Sequence, residues 1–470
     1  MITLLLFSLP VAAQDRQSEK WYWGWDSNTH ELFAYSENGE TNLLLTDVLE
    51  NVDYSWYIWR VSEDRAIALI HTSNQLALYS IGSIKAEKLV TELNSQAFEP
   101  FISRQNGLRL EAYQYPYMVL STWYSLDKKT SRPAFLVNLA INTVGYLNDS
   151  VALGFCCRFT PDGHSLRYIT SDGGYESPSI TLHERALDTG IEKVLYTDAS
   201  GNAESDKNGE RWLFPEGENG LSQYRIFDVS TGTGEVIYQR DPAEYYSDYD
   251  FVDDDLISYQ PLCETDCTLQ LEAMDGDTYL YTLPDTHGGS SIYSFDRLTD
   301  NKLIIGRPYD YWLLSVDTPP KFIGYVYSDG VGPITDSPDG RFSVISDTEN
   351  YPQMRRMIID WKTLEILLTL TEEPESLFEA TYNQEGFLIN PLDNRKGIMY
   401  RYANREVIRL PEKLQGNFFD ILPDGSVLYQ TSASTNPQIS RYFPQSDETK
   451  LLVDGLLNIP TIDVTNYAYP

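Results

Sequence analysis

The stretch Phe159-Thr160-Pro161-Asp162-Gly163-His164-Ser165-Leu166-Arg167-Tyr168-Ile169-Thr170 opens on a tight turn and runs straight into a strand-like segment. The triplet in it has a mechanical purpose. Proline presets φ, aspartate bonds its own backbone, and glycine takes the positive φ that the turn demands. The same turn returns at Asp336-Ser337-Pro338-Asp339-Gly340 and Ile421-Leu422-Pro423-Asp424-Gly425, each ahead of another apolar alternating run, with degenerate copies at Asn208-Gly209 and Glu385-Gly386. Such a turn marks a hairpin and not a catalyst.

A second class of turn keeps the same beat. Its markers fall at residues 39, 82, 128, 189, 231, 276, 318, 362, 404 and 447, and they recur about every 43 residues, the length of a four-stranded blade. Between the markers lie runs of four to eight residues punctuated by Gly, Asn, Asp and Pro, with no long amphipathic helix, so the expected class is all-β. Ten markers imply ten units. The interval around Arg132-Pro133-Ala134-Phe135-Leu136-Val137-Asn138-Leu139-Ala140 is long enough to suggest an insertion, and with it a boundary between two rings near residue 145; one continuous ring is the preferred reading. The first unit is short of a strand, whereas the tail Thr461-Ile462-Asp463-Val464-Thr465 alternates with period two and has no unit of its own. Head and tail sharing a blade would remove an exposed edge.

Three of the units carry more than spacing. After the Pro-Asp-Gly turn and a strand come Ser171-Asp172-Gly173-Gly174-Tyr175-Glu176-Ser177-Pro178-Ser179-Ile180 in one, Ser346-Asp347 and Tyr351-Pro352-Gln353-Met354 in another, and Asn436-Pro437-Gln438-Ile439 in the third. This order resembles the TolB-type WD-like repeat. The resemblance covers roughly a third of the chain at motif level, and it implies a β-propeller of four-stranded antiparallel blades.

Composition bounds the partners. The chain has 470 residues, 42% of them hydrophobic and 13% aromatic, ample for a core. Its 69 acidic residues against 35 basic ones give a formal charge of −34, which repels phosphate backbones and disfavours nucleic acid as a partner. Residues 1–13 read as a signal peptide cleaved after Ala13, although Arg16 is the first cation and the usual basic leader is missing. The mature region 14–470 is then expected to be secreted or periplasmic, with no run long enough to span a membrane. Cys263 and Cys267 bracket a short loop and are expected to form a disulfide. Adjacent Cys156 and Cys157 should point to opposite sheet faces as independent thiols, a vicinal disulfide being the alternative. The five histidines are scattered, and neither a metal nor any other cofactor is expected.

Function has to be argued from a site, because propellers host many activities. The loops between second and third strands should gather on one face, collecting Tyr115, Tyr117, Tyr175, Glu176, Tyr309, Asp310, Tyr311, Tyr351 and Asn436, together with Glu216 and Glu218. Tyrosines offer rigid contact area with a polar tip, suited to a protein or a sugar ring. No Gly-x-Ser-x-Gly elbow, HExxH or phosphate-binding loop is present. The expectation is a non-catalytic binding or scaffolding propeller with a protein or glycan partner. The alternative is a glycoside hydrolase or lyase using carboxylates on the same loop face.

Overall fold

In the computed structural model, residues 19–463 are described except 50–57, 73–74, 92–107, 123–130, 153–156, 173–178, 201–202, 217–222, 240–247, 253–254, 263–266, 274–277, 284–293, 299–301, 307–309, 316–317, 326–333, 337–340, 351–352, 361–362, 364, 373–377, 392–396, 412–413, 415, 432–436 and 460. Among them every regular element is a strand, and the strands group into ten four-stranded antiparallel units, with Val90–Thr91 and Thr461–Asp463 added in parallel to the third and second of them. The chain is an all-β propeller of four-stranded blades.

Unit 1 takes its first strand, Leu457–Asn458, from the other end of the chain, and Trp21–Asp26, Glu31–Ser36 and Thr41–Leu45 follow as its second, third and fourth. Unit 2 runs through Ile58–Ser62, Arg65–Thr72, Gln75–Gly82 and Ala86–Lys88, with Thr461–Asp463 added in parallel beside the first of these. Head and tail therefore share sheets twice over. Unit 3 (Leu108–Gln114, Tyr117–Thr122, Ser131–Asn138, Thr143–Ala152) and unit 4 (Cys157–Phe159, Ser165–Asp172, Ser179–Ala186, Glu192–Ser200) are joined in one larger sheet by a bridge between Val151 and Thr170. Units 5 to 10 follow as separate meanders over 204–239, 248–283, 294–325, 334–372, 378–409 and 416–454.

The segment expected as an insertion is an ordinary third strand, Ser131–Asn138, and residue 145 falls inside the unbroken strand Thr143–Ala152. The marker placed at residue 128 was a turn too early. The turn between third and fourth strands of unit 3 lies at 139–142, where Asn142 holds the positive φ (53°) that Gly39, Gly190 and Gly232 supply elsewhere.

Adjacent residues of one strand point to opposite faces, and both faces of a blade are covered by neighbours. Ile58 joins the cluster with Trp21, Trp23 and Trp25 of unit 1, while Trp59 joins Leu110 and Phe135 of unit 3. Tyr168 packs with Val119 and Ala134 of unit 3, and Ile169 with Trp212 and Phe214 of unit 5. Leu422, Leu428 and Ile439 of unit 10 meet Tyr22 and Tyr35 of unit 1. The long apolar runs of the sequence follow from this two-sided burial. Buried Cys157 belongs to the core between units 3 and 4 as a free thiol; Cys156 and Cys263 lie outside the described residues, and Cys267 opens a strand.

Candidate functional site: two unlike faces

In a four-stranded meander the first-to-second and third-to-fourth turns share one end, and the second-to-third loops share the other. The turn end is tightly built. Gly163 takes φ 71° and donates its N–H to the Thr160 carbonyl at 2.8 Å, while Asp162 accepts from the His164 amide at 2.9 Å and the Thr160 hydroxyl at 2.6 Å. Asp424 does the same for Ser426, through its amide at 2.9 Å and its hydroxyl at 2.6 Å, with Gly425 at φ 81°. The Pro-Asp-Gly reading thus describes the hydrogen bonding of both turns.

What the sequence did not disclose is how this end is stitched from unit to unit by arginines. Arg65 of unit 2 donates to the Leu139 carbonyl (2.9 Å) and to Asn142 Oδ1 (2.7 Å) in unit 3. Arg167 of unit 4 pairs with Glu184 at 2.9 Å and reaches the Gly209 carbonyl (2.8 Å) and Glu210 (2.9 Å) of unit 5. Fully buried Asp360 of unit 8 accepts both prongs of Arg341 and one from Arg405 of unit 9. Arg441 of unit 10 holds Asp424 at 2.6 Å and the Glu37 carbonyl of unit 1 at 3.1 Å. Planar five-donor guanidinium groups suit such multi-acceptor contacts better than lysines do.

The seam between the two ends of the chain is the most polar of these contacts. Asp420, buried in the first strand of unit 10, accepts from the Tyr22 hydroxyl at 2.5 Å, from Asn383 at 2.5 Å and from its neighbour's amide at 3.0 Å, and pairs with Lys20 at 2.8 Å. Burial, and then the Asp420 carboxylate, push the Tyr22 hydroxyl well above the ordinary tyrosine range; burial does the same to Tyr35. The Arg60 guanidinium lies 5.3 Å from the Tyr22 ring centre and 5.1 Å from that of Trp23.

The loop end holds fewer described residues. Tyr175, Glu176, Glu218, Tyr309, Tyr351 and Asn436 lie outside them. Asp310 and Tyr311 open the third strand of unit 7, at the expected end. Glu216 sits there as well, but it is engaged: the Tyr196 hydroxyl donates at 2.6 Å, Arg225 Nε at 2.8 Å, and Gln223 donates too. Burial alone would raise its carboxyl, yet these donors outweigh it and hold the group below its ordinary value. Tyr115 and Tyr117 require a correction. Tyr115 lies in the turn between the first and second strands of unit 3 and Tyr117 opens the second, so they belong to the turn end, opposite the face on which they were expected. Tyr117 stacks on Phe159 beside the next unit's turn, and Tyr115 stands exposed. The misplaced marker at 128 caused this, by shifting the strand order of that unit by one.

No family model matches the chain, and no curated protein matches it. Among solved structures it is similar to a eukaryotic initiation factor at 12% identity, covering 83% of this chain and 96% of the other with a TM-score of 0.47. It is also similar to TolB from Acinetobacter baumannii (11% identity, 68% and 79% covered, TM-score 0.32). A third is the β-propeller domain of the Trilobed protease from Pyrococcus furiosus (13% identity, 74% and 96% covered, TM-score 0.31). At these TM-scores the likenesses add nothing to what the sheets themselves establish.

Among the described residues no group of three or more His, Cys, Asp or Glu side chains is arranged to hold a metal ion, and no helix is long and apolar enough to cross a membrane. The turn end is a stitched frame.

Proposed function

We propose that this protein is an exported, non-catalytic binding or scaffolding propeller of the TolB type, with a protein or glycan partner seated on the loop face. The observation that carries the reading is the employment of the carboxylates. Asp360, Asp420, Glu184 and Glu216 each bind cations or hydroxyls of their own or a neighbouring unit. Burial is outweighed by hydrogen bonds from Lys193 and Arg167 in Glu184, and from Arg225, Tyr196 and Gln223 in Glu216, so both stay ionised and are poor proton donors for glycosidic cleavage. These acids are framework.

The test is a pull-down and glycan-array screen of the chain from Gln14, run beside two folded variants. One carries Tyr175→Ala, Tyr309→Ala, Tyr311→Ala and Tyr351→Ala; the other carries Tyr115→Ala. Binding that the first variant loses and the second keeps supports the loop face. The reverse pattern moves the site to the turn end, and release of glycan fragments by the unaltered chain replaces the binding reading with the enzyme. Export belongs to the same proposal: N-terminal sequencing of the protein recovered from the periplasm or medium should begin at Gln14, and mass mapping should find Cys263 joined to Cys267.

A further inference from the structure

The tail of the chain does two different things in succession. Leu456 to Ile459 is an anchor. Leu456 is buried with Tyr22 and Tyr35, the Asn458 amide donates to Gln430 Oε1 at 2.6 Å, the Tyr35 hydroxyl donates to Asn458, and the Ile459 amide donates to the Trp23 carbonyl at 3.0 Å. These contacts complete unit 1, which has only three strands of its own. Thr461–Asp463, past residue 460, is supernumerary. Unit 2 already has its four strands, and the corresponding first strands of units 5 to 10 take no fifth partner among the described residues.

This fifth strand also pairs differently. It lies parallel to Ile58–Ser62, matching Thr461 to Ile58, Ile462 to Trp59 and Asp463 to Arg60. Within the four-stranded blades the pairing is antiparallel, the other parallel addition among the described residues being Val90–Thr91 on the fourth strand of unit 3; three parallel pairs are a short, weak ladder. The receiving strand is firm: Ile58, Trp59 and Arg60 are all buried. A firm edge carrying a supernumerary strand is the arrangement used to bind extended peptides by strand addition. The register also sets an acidic residue opposite the one cation of that strand.

We propose that the free edge of Ile58–Ser62 is a strand-acceptor slot, occupied in cis by Thr461–Asp463 and able to take, in its place, an extended segment of a partner protein. The segment enters parallel to Ile58–Ser62 and carries an acidic residue opposite Arg60. The slot is separate from the loop face and does not depend on it. Because the tail is tethered, it competes with an incoming segment at an effective concentration on the order of millimolar, so the resident strand sets a threshold for the partner.

The full chain with Thr461→Pro and Ile462→Pro removes two successive donors, one of which must point at the ladder, while keeping the anchor. A labelled peptide with the sequence of residues 459–466 is titrated against this variant and against the unaltered chain, with anisotropy as the readout. The expected result is saturable binding to the variant, at least tenfold weaker binding to the unaltered chain, and at least fivefold weaker binding of a peptide carrying Asp463→Lys. A folded variant that does not bind, or equal binding by both chains, overturns the proposal. If the variant fails to fold, hydrogen exchange of the unaltered chain decides: residues 461–463 exchanging well before 457–458 supports a detachable strap, and exchange of both as one unit overturns it.

Discussion

Gly386 and Gly232 are glycines for opposite reasons. A Cβ on Gly386 would sit 1.9 Å from the Tyr400 carbonyl oxygen, so two paired strands would have to separate, whereas one on Gly232 would meet nothing within 4 Å and face only the strain of φ 66°. Gly386→Ala should cost ~3 kcal/mol or more from the overlap, and Gly232→Ala about 1 kcal/mol from the left-handed backbone, as read from urea midpoints. Asp420 is the residue whose role was least legible. Its partners Tyr22 and Asn383 are 398 and 37 positions away, and nothing local in Phe419-Asp420-Ile421 marks a hub. Asp420→Ala strands a buried tyrosine hydroxyl, an amide and a lysine at once, and should destabilise by ~3–5 kcal/mol. Lys20→Met, which removes a partly exposed partner and leaves the other donors, should cost about 1 kcal/mol or less. The same urea series separates the two.

At the scale of strands, the period was legible because turn chemistry is local: Gly163, Gly190, Gly232 and Gly425 hold positive φ wherever the repeat needs it. It failed in unit 3, where Asn142 does the same work without a glycine and Tyr115-Pro116 imitates a loop. The arginine stitching was illegible for another reason, since Arg65, Arg167, Arg405 and Arg441 each reach an acceptor in another unit, far away in the chain. The outer strands show a further regularity. Leu43, Val194, Val236, Leu280, Ile366, Val407 and Leu451 are all exposed on fourth strands, a pattern that invites edge-to-edge pairing. The edges are guarded. In units 1, 3, 4, 5, 7, 8 and 10 the third-to-fourth pairing is broken by a register shift, and charged residues interrupt the apolar ones. In unit 10 Glu448 and Lys450 precede Leu451 on the outer strand, so Glu448→Thr with Lys450→Val should leave the fold intact and produce dimers or larger species by size-exclusion chromatography. A strictly monomeric profile up to about 100 μM would mean that the bulges alone protect the edge.

For the whole molecule, electrostatics acts in two opposing ways. A formal charge of −34 favours expansion, while the stitched carboxylates favour the folded state as long as they are ionised. In Glu184, Glu216 and Asp424 burial is outweighed by hydrogen bonds, so their folded carboxyls titrate below the ordinary values of 4.5 for glutamate and 3.8 for aspartate. Their contribution is complete above those values and is lost as pH falls through the lowered ones. The tyrosines work at the other limit. Burial raises Tyr22 and Tyr35 well above 10.0, and burial with the Asp447 hydrogen bond lifts Tyr442 to about 12. A raised folded value gives stability that is whole below 10.0 and disappears as pH climbs through the higher one. The melting temperature should therefore hold a plateau from about pH 5 to about pH 9.5 and fall on both sides. Salt distinguishes the two effects. Exposed like charges are screened within a Debye length of ~8 Å at 0.15 M, and buried pairs much less, so raising sodium chloride from about 0.02 to 0.5 M at pH 7 should raise the melting temperature. A fall instead would mean that the arginine–carboxylate attractions are open to screening and outweigh the like-charge repulsion.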